Sequence, residues 1–274
     1  MSGSSSDKMR HQIAPEKSTW DRFWTRERTI DEVYHNDDRI PVNLRRVMDV
    51  NGKKILEVGA GTGRDSLELQ KLGAEIYILD YVRSSLSIVH QVFQKNQQPV
   101  HLILADGTLM PFSNDSFDVV FHQGLLEHFR DPLPLLFENI RVLKPGGMLL
   151  VDVPQKYHLY TIIKHVLIWM GKWFAGWETE FSIGELQSLL ERKNLTVIHK
   201  YGSWMNPSLV YRMFREIFLR LGIKLPLYPK PLWFLGRIRR IIKERMLYNP
   251  LSFYTFMCIG VIAKKTNLST SSGE

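Results

Sequence analysis

The chain has 274 residues, of which 44% are hydrophobic and 23% charged, so wholesale disorder is excluded. This length fits about two domains, or one α/β domain that carries insertions. Its single cysteine, Cys258, excludes disulfide frameworks, four-cysteine zinc sites and iron–sulfur clusters. The first residues lack the apolar core of a secretory signal, and no apolar run is long enough for a transmembrane helix. We therefore expect a cytoplasmic protein.

The formal net charge of +8 is concentrated in one segment of the chain. Residues 205–248 contain ten basic and two acidic side chains, and the rest of the sequence is neutral. A partner inferred from the charge is thus a partner of this segment. Two interpretations stay open: the segment rests peripherally on an anionic membrane surface, or its helices pack on the domain and leave their arginines in solvent.

The predicted elements alternate between short apolar strands and helices after a flexible segment at 1–18 and a helix from Trp20 towards Tyr34. Strands are predicted at 55–58, 76–79, 101–104, 117–121 and 148–153, with helices at 65–72, 84–96 and 134–143. This succession of βα units predicts an α/β fold, in which a parallel sheet carries helices on both faces.

After residue 154 the alternation of strands and helices ends. Two insertions interrupt the predicted core, which comprises residues 19–154, 182–201 and 253–265. The first, 155–181, is an aromatic cap insertion. Ser182 and Glu185 then form a capping box that opens a helix to Lys193, and a strand follows at 196–201. The second insertion, 202–252, is basic and contains two amphipathic helices, at 210–221 and 235–243. A last strand is predicted at 253–264, before a flexible end at 266–274.

The sharpest motif is Glu57-Val58-Gly59-Ala60-Gly61-Thr62-Gly63-Arg64, between the first strand and its helix. Alternating glycines let the backbone turn tightly and approach a ligand closely. A dinucleotide loop would need Gly-x-Gly-x-x-Gly, but its last position here is Arg64, and Glu57 would repel a pyrophosphate. A ligand with a cationic amino group fits better.

Two further acids follow the next strands of the predicted sheet. Asp80 ends the second strand, where a carboxylate can accept hydrogen bonds from both hydroxyls of a ribose. Asp106 follows the third strand and can accept from an exocyclic adenine amine, with Tyr81 and Leu109 able to sandwich the ring. These positions predict a nucleoside-like ligand.

Together with Asp118-Val119-Val120-Phe121 and Arg141-Val142-Leu143-Lys144-Pro145-Gly146-Gly147, these residues resemble the class I S-adenosylmethionine-dependent methyltransferases. The nearest branch is the methyltransferase type 11 group, which includes ubiquinone and menaquinone biosynthesis methyltransferases. The resemblance implies a Rossmann-like, seven-stranded, mostly parallel sheet whose last strand is antiparallel and lies between the fifth and sixth. It implies S-adenosylmethionine as cofactor, near Glu57, Gly59, Ala60, Gly61, Gly63, Asp80, Tyr81, Asp106, Gly107, His122 and Gln123.

Methyl transfer requires alignment of donor and acceptor, and a base if the acceptor is a hydroxyl group. The candidate bases are His122, His128 and His158, since histidine titrates in the useful range. No carboxylate cluster follows the fourth strand, so no metal is predicted. The Asn/Asp-Pro-Pro-aromatic tetrad of amino-methylating nucleic-acid enzymes is replaced by His122-Gln123-Gly124-Leu125, which disfavours a nucleic-acid substrate.

We therefore predict an S-adenosylmethionine-dependent methyltransferase that acts on the oxygen or carbon of a small-molecule or lipid-like acceptor. Both insertions are expected to roof the cofactor site with an apolar tunnel, because each leaves the carboxyl edge of the sheet. Two alternatives stay open: a non-catalytic cofactor-binding or scaffold protein with this fold, and a methyltransferase that acts on a sugar or polysaccharide.

Overall fold

The computed structural model of the chain describes residues 17–25, 38–173, 177–229, 237, 241–246 and 249–266. Within these ranges seven strands form a single sheet. The strands are β1 Lys54–Val58, β2 Glu75–Asp80, β3 His101–Leu104, β4 Phe117–Gln123, β5 Leu143–Pro154, β6 Leu195–Ser203 and β7 Cys258–Lys265.

The order of the strands across the sheet is β3-β2-β1-β4-β5-β7-β6. Strands β1 to β5 pair in parallel, whereas β7 lies between β5 and β6 and runs antiparallel to both. Strand β6 is therefore parallel to the first five. The predicted fold class is confirmed, including the position and direction of the last strand.

Helices cover both faces of the sheet and bury two apolar clusters against it. The helices are α1 Lys17–Thr25, α2 Arg39–Leu44, α3 Arg64–Lys71, α4 Arg83–Lys95, α5 Leu133–Val142, α6 Leu159–Trp169, α7 Ile183–Glu191 and α8 Leu209–Arg220, with 3₁₀ turns at Leu126–His128 and Pro250–Tyr254. One cluster includes side chains of α5 and α7, and the other includes side chains of α2, α3 and α4. The continuous apolar character of the central strands follows from this burial on both sides.

Side-chain caps mark the start of three of the described helices, α6, α7 and α8. Helix α7 begins with the predicted capping box: Ser182 accepts from the Glu185 amide, and the Glu185 carboxylate accepts from the Ser182 amide. Helix α8 begins after Ser208, whose hydroxyl accepts from the amide of Tyr211. No helix among the described residues is both long and apolar enough to cross a membrane.

The predicted start of the last strand at Phe253 is wrong. The side chain of Asn249 accepts from the Leu251 amide at 2.9 Å and caps a 3₁₀ turn, so pairing in β7 begins only at Cys258. Of the helix predicted from Trp20 towards Tyr34, the structure describes the part to Thr25, and residues 26–34 lie outside the described ranges. Most of the second amphipathic helix, and most of both termini predicted to be flexible, lie outside them too. Residues 237 and 241–246 are helical.

The contact between β6 and β7 generates a stability prediction. A Cβ atom at Gly260 would lie 2.0 Å from Cζ of Tyr201, whose hydroxyl donates to Asp152 and holds the ring in place. We expect Gly260→Ala to lower the free energy of unfolding by about 1–3 kcal/mol through overpacking. Gly184, in α7, has open space at its Cβ position, so Gly184→Ala should leave stability unchanged or raise it by up to about 1 kcal/mol. Urea unfolding of both variants measures the difference, and equal midpoints would contradict the prediction.

Candidate functional site

A cavity of about 580 Å³ opens at the carboxyl ends of the parallel strands. This is the edge at which open α/β sheets bind ligands, and the volume lies in the range of small-molecule sites, roughly 300–1,000 Å³. The predicted site residues that line it are Glu57, Gly59, Ala60, Gly61, Gly63, Asp80, Tyr81, Asp106, Gly107, Gln123 and His128. The fold thus brings together side chains from the ends of β1, β2, β3 and β4.

The glycine loop joins β1 to α3 along one wall of the cavity. Gly59, Gly61 and Gly63 all have positive φ, a conformation that L residues with side chains rarely adopt. A Cβ atom at Gly63 would also lie 2.9 Å from the side chain of Val89. The loop is therefore specific for glycine, and its backbone faces the cavity without side chains in between.

Glu57 is buried at the base of this loop. Its carboxylate accepts a hydrogen bond from the hydroxyl of Ser66 in α3. Burial raises the pKa of Glu57 well above its usual value, and the hydrogen bond from Ser66 opposes this only in part. A cationic group bound next to Glu57 would favour its ionised form.

Asp80 uses most of its acceptor capacity within the protein. One carboxylate oxygen accepts from the Ala60 amide and the Ser85 hydroxyl, and the other accepts from the Val82 amide. The Tyr81 amide is a further donor to this carboxylate. Asp80 therefore fixes the glycine loop, and its contact with both ribose hydroxyls stays a prediction.

One carboxylate oxygen of Asp106 is available to a ligand. Both hydrogen bonds from Thr108, from its amide and its hydroxyl, fall on Oδ1, at 2.8 Å each. Oδ2 accepts no hydrogen bond from the described residues. The carboxylate lies at the exposed end of the cavity, where it can accept from a bound amine.

The residues that close the cavity from the amino-terminal side were not predicted from the sequence. Lys17, Trp20 and Trp24 of α1 line it together with Arg39 of α2. The ring of Trp24 comes within 3.9 Å of the Cβ position of Gly61, and Trp20 packs edge-on against His128 with ring centroids 4.8 Å apart. Aromatic residues at helical spacing were visible in the sequence, but nothing indicated which surface they cover.

A buried ion pair anchors α2 to the end of β5 at the cavity wall. The guanidinium of Arg39 donates to both carboxylate oxygens of Asp152, at 2.9 and 2.7 Å, and Tyr201 donates to the same carboxylate at 3.0 Å. This bidentate geometry satisfies a carboxylate that would otherwise be costly to bury.

Of the three candidate histidines, only His128 lines the cavity. Burial lowers its pKa to about 4, although the charge of Glu178, 4.0 Å from Nδ1, opposes this shift. The imidazole is therefore neutral at neutral pH and able to accept a proton.

The placement of the other two histidines corrects the sequence-based expectation. His122 is fully buried in β4, on the sheet face opposite Phe121 and Gln123 and away from the cavity, and burial lowers its pKa to about 3. Strand alternation explains this, since the period of two turns His122 into the apolar core. His158 caps α6, where Nδ1 accepts from the Tyr160 amide at 3.1 Å, and it does not line the cavity either.

Behind His128 lies a buried charged cluster that the sequence did not predict. The ammonium group of Lys164, with 1% of its side chain exposed, pairs with Glu178 and, at 2.7 Å, with Glu180. Burial by itself would lower the pKa of Lys164, but these two carboxylates outweigh it and raise the pKa. Two carboxylates around one ammonium leave surplus negative charge beside His128.

The described parts of the two predicted insertions do not roof the cavity. Among the described residues, the lining includes none from 155–181 or 202–252. Helix α1 covers the cavity instead. Within the same described ranges, no group of three or more histidine, cysteine, aspartate or glutamate residues could hold a metal ion.

The glycine loop, the acids at successive strand ends and the 3-2-1-4-5-7-6 sheet define the class I methyltransferase fold. A SAM-dependent methyltransferase from Aquifex aeolicus shares this fold, with a TM-score of 0.52 and 15% identity over 84% of this chain and 94% of that one.

Comparison with known sequences agrees with the fold. Residues 56–151 match the family described as a methyltransferase domain, so the resemblance is confirmed over these residues. The chain is 27% identical to the ubiquinone biosynthesis O-methyltransferase of Dinoroseobacter shibae over 60% of its length, spanning 68% of that relative. It is 36% identical to the demethylmenaquinone methyltransferase of Clavibacter sepedonicus over 39% of its length, spanning 43% of that protein.

The burial of Glu57 generates a prediction on stability and pH. Because its pKa is raised in the folded state, the folded chain binds a proton more tightly than the unfolded chain, and this stabilisation is lost as pH rises from about 4 through the raised pKa. Glu57→Gln keeps an acceptor for Ser66 and removes the charge. We expect it to raise the free energy of unfolding at pH 7, on the order of 1 kcal/mol, and to flatten its decline with pH. Urea titrations between pH 4 and 8 measure this, and a parallel decline in both proteins would contradict it.

Proposed function

We propose that the chain is an S-adenosylmethionine-dependent methyltransferase that methylates the oxygen or carbon of a lipid-like small molecule. The observation that carries this proposal is the arrangement of Glu57, Asp80 and Asp106 around a glycine loop at one edge of the sheet. Bound there, S-adenosylmethionine supplies an electrophilic methyl group on a sulfonium. The cofactor has a primary amine, a ribose and an adenine, and each finds an acceptor of suitable kind in the cavity.

The acidic character of the cavity supports this cofactor over a dinucleotide. Asp80 and Asp106 would repel a pyrophosphate but favour a cationic sulfonium and ammonium, and a bound cation would favour the ionised form of Glu57. The glycine loop would pass the methionine part, and Asp106 Oδ2 would accept from the adenine amine. Gln123, at the end of β4, also lines the cavity and would contact the methionine part or the acceptor.

A lipid-like acceptor is supported by two observations. Similar proteins are named as methyltransferases of ubiquinone biosynthesis and of demethylmenaquinone. Furthermore, the chain exposes many large apolar side chains on the helices that follow β5 and β6. The acceptor would approach from the side of His128 and Phe129, where the cavity wall is aromatic.

For a hydroxyl acceptor, we propose His128 as the base that takes the proton. Its imidazole is neutral before the reaction and becomes charged when it accepts the proton. Glu178 would stabilise that imidazolium through its charge from 4.0 Å, a separation too long for a hydrogen bond. Lys164 and Trp173 hold the Glu178 carboxylate in place. Trp20 would exclude water from the ring.

The cofactor assignment predicts the effect of a change at Asp106. We expect isothermal titration calorimetry to detect binding of S-adenosylmethionine to the native chain, and Asp106→Ala to weaken it about tenfold by removing a charged acceptor. Asp49 is a matched control, since it is also exposed and accepts from an amide two residues on, but lies away from the cavity. Asp49→Ala should leave binding unchanged. Absence of heat and of any thermal shift with the native chain would refute the assignment.

The proposed base predicts a separation of binding from turnover. We expect His128→Gln to slow transfer of labelled methyl from S-adenosylmethionine to a cell lipid extract by about 10²–10⁴-fold, while the cofactor dissociation constant stays unchanged. His158→Asn retains a helix-capping side chain and should react at the native rate. Glu178→Gln should lower the rate and move the acidic limb of the pH–rate profile to lower pH, because Glu178 raises the pKa of His128. Cofactor binding without methylation of any lipid would favour the scaffold alternative.

A further inference from the structure

Helix α6 is oriented with its polar side chains inward. Thr161 and Lys164 are its buried residues, with the Thr161 hydroxyl donating to the Gln155 carbonyl and Lys164 paired with buried carboxylates. Its large apolar side chains lie at the surface instead: Ile162, Val166 and Trp169 are exposed, Trp169 by 87%. In a helix that packs only on its own domain, this polarity would be reversed.

Helix α8 also exposes an apolar face, and none of its residues is buried. Arg212 donates to the carbonyls of Asn206 and Pro207, and Arg215 donates to the carbonyl of Leu225, so both arginines turn towards the chain's own backbone. Val210, Met213, Phe214 and Ile217, spaced on one face, are all more than half exposed. Among the described residues, the apolar face of α8 is therefore not packed on the domain.

The two helices lie near each other. Helix α6 follows the end of β5 and α8 follows the end of β6, and these two strands are parallel. Only β7 lies between β5 and β6 in the sheet, so both helices leave the same edge two strands apart. We call the exposed side chains Ile162, Val166, Trp169, Val210, Met213, Phe214 and Ile217 the apolar cap face.

The basic side chains around the apolar cap face indicate the chemistry of its partner. Residues 205–248 contain ten bases and two acids, and one of those acids, Glu216, is paired with Arg220. The described bases Arg220, Lys224 and Arg245 are exposed. Apolar side chains flanked by long basic ones suit a bilayer interface, where the hydrocarbon parts bury and the cationic ends reach the headgroups.

We propose that the apolar cap face docks on an anionic lipid bilayer, with α6 and α8 lying in the plane of the interface. Phe214, Met213 and Trp169 enter the boundary between headgroups and acyl chains, and the exposed bases Arg220, Lys224 and Arg245 contact anionic headgroups. The inference goes beyond methyl transfer and does not require it: docking depends on the cap helices, whereas cofactor binding depends on the strand edge.

Flotation with vesicles tests this proposal on the whole chain. We expect binding to vesicles that contain phosphatidylglycerol, at least about tenfold weaker binding to phosphatidylcholine alone, and loss of binding as salt is raised. Phe214→Glu should reduce partitioning about tenfold or more. The matched control is Phe137→Glu: Phe137 lies on α5, outside the cap, and is 53% exposed against 54% for Phe214. This control should bind like the native chain.

Three outcomes would overturn the proposal: equal binding to both vesicle types, equal loss with both variants, or a lipid-free dimer in sedimentation that Phe214→Glu dissociates, because a second copy would then cover the face. Calorimetry with S-adenosylmethionine on the same samples keeps the two proposals apart. A Phe214→Glu chain that binds the cofactor but not vesicles has folded, and a native chain that binds vesicles but not the cofactor contradicts only the proposed function.

Discussion

The parallel direction of β1 to β5 is the constraint on which the site depends. It brings the carboxyl ends of the strands to one edge, and with them Glu57, Asp80, Asp106 and Asp152. Several carboxylates at one partly buried edge repel one another and lose hydration, so each needs its own donors. Arg39 neutralises Asp152, amides and a hydroxyl satisfy Asp80, and Ser66 partly satisfies Glu57. The carboxylate oxygens that accept no hydrogen bond from the described residues make the cavity favourable for a cationic ligand.

The need to pair buried charges also explains the structure of the cavity wall near His128. Lys164 reaches inward from α6 because Glu178 and Glu180 are there to receive it. A lysine in that position would be costly alone, and the two carboxylates would be costly without it. The ion cluster fixes the inner face of α6, so the apolar residues of that helix can only face outward. A catalytic proposal for His128 and a docking proposal for the cap thus share one structural cause.

Sequence patterns predicted the core more completely than the cap. Where both faces of an element are buried, as in β1 and β4, apolar runs alone predicted the strands, and the predicted bounds differ from the observed ones by at most a few residues. Helix α8 was predicted correctly as an amphipathic helix, but periodicity gives only which residues share a face. Periodicity does not predict which face meets the protein. In α8, hydrogen bonds from Arg212 and Arg215 to backbone carbonyls turn the arginine side inward.

The sequence by itself determined the fold class, the glycine loop and the acids that follow β1, β2 and β3, because these are local signals: spacing, turn residues and strand ends. Only the tertiary structure decided which histidine reaches the cavity. His122 lies within β4 and faces the core, whereas His128 lies in the following 3₁₀ turn and faces the cavity. It also decided that α1 rather than the insertions closes the cavity among the described residues. Contacts between segments more than a hundred residues apart, such as Arg39 with Asp152, arise from the packing of the whole chain and leave no pattern in the local sequence.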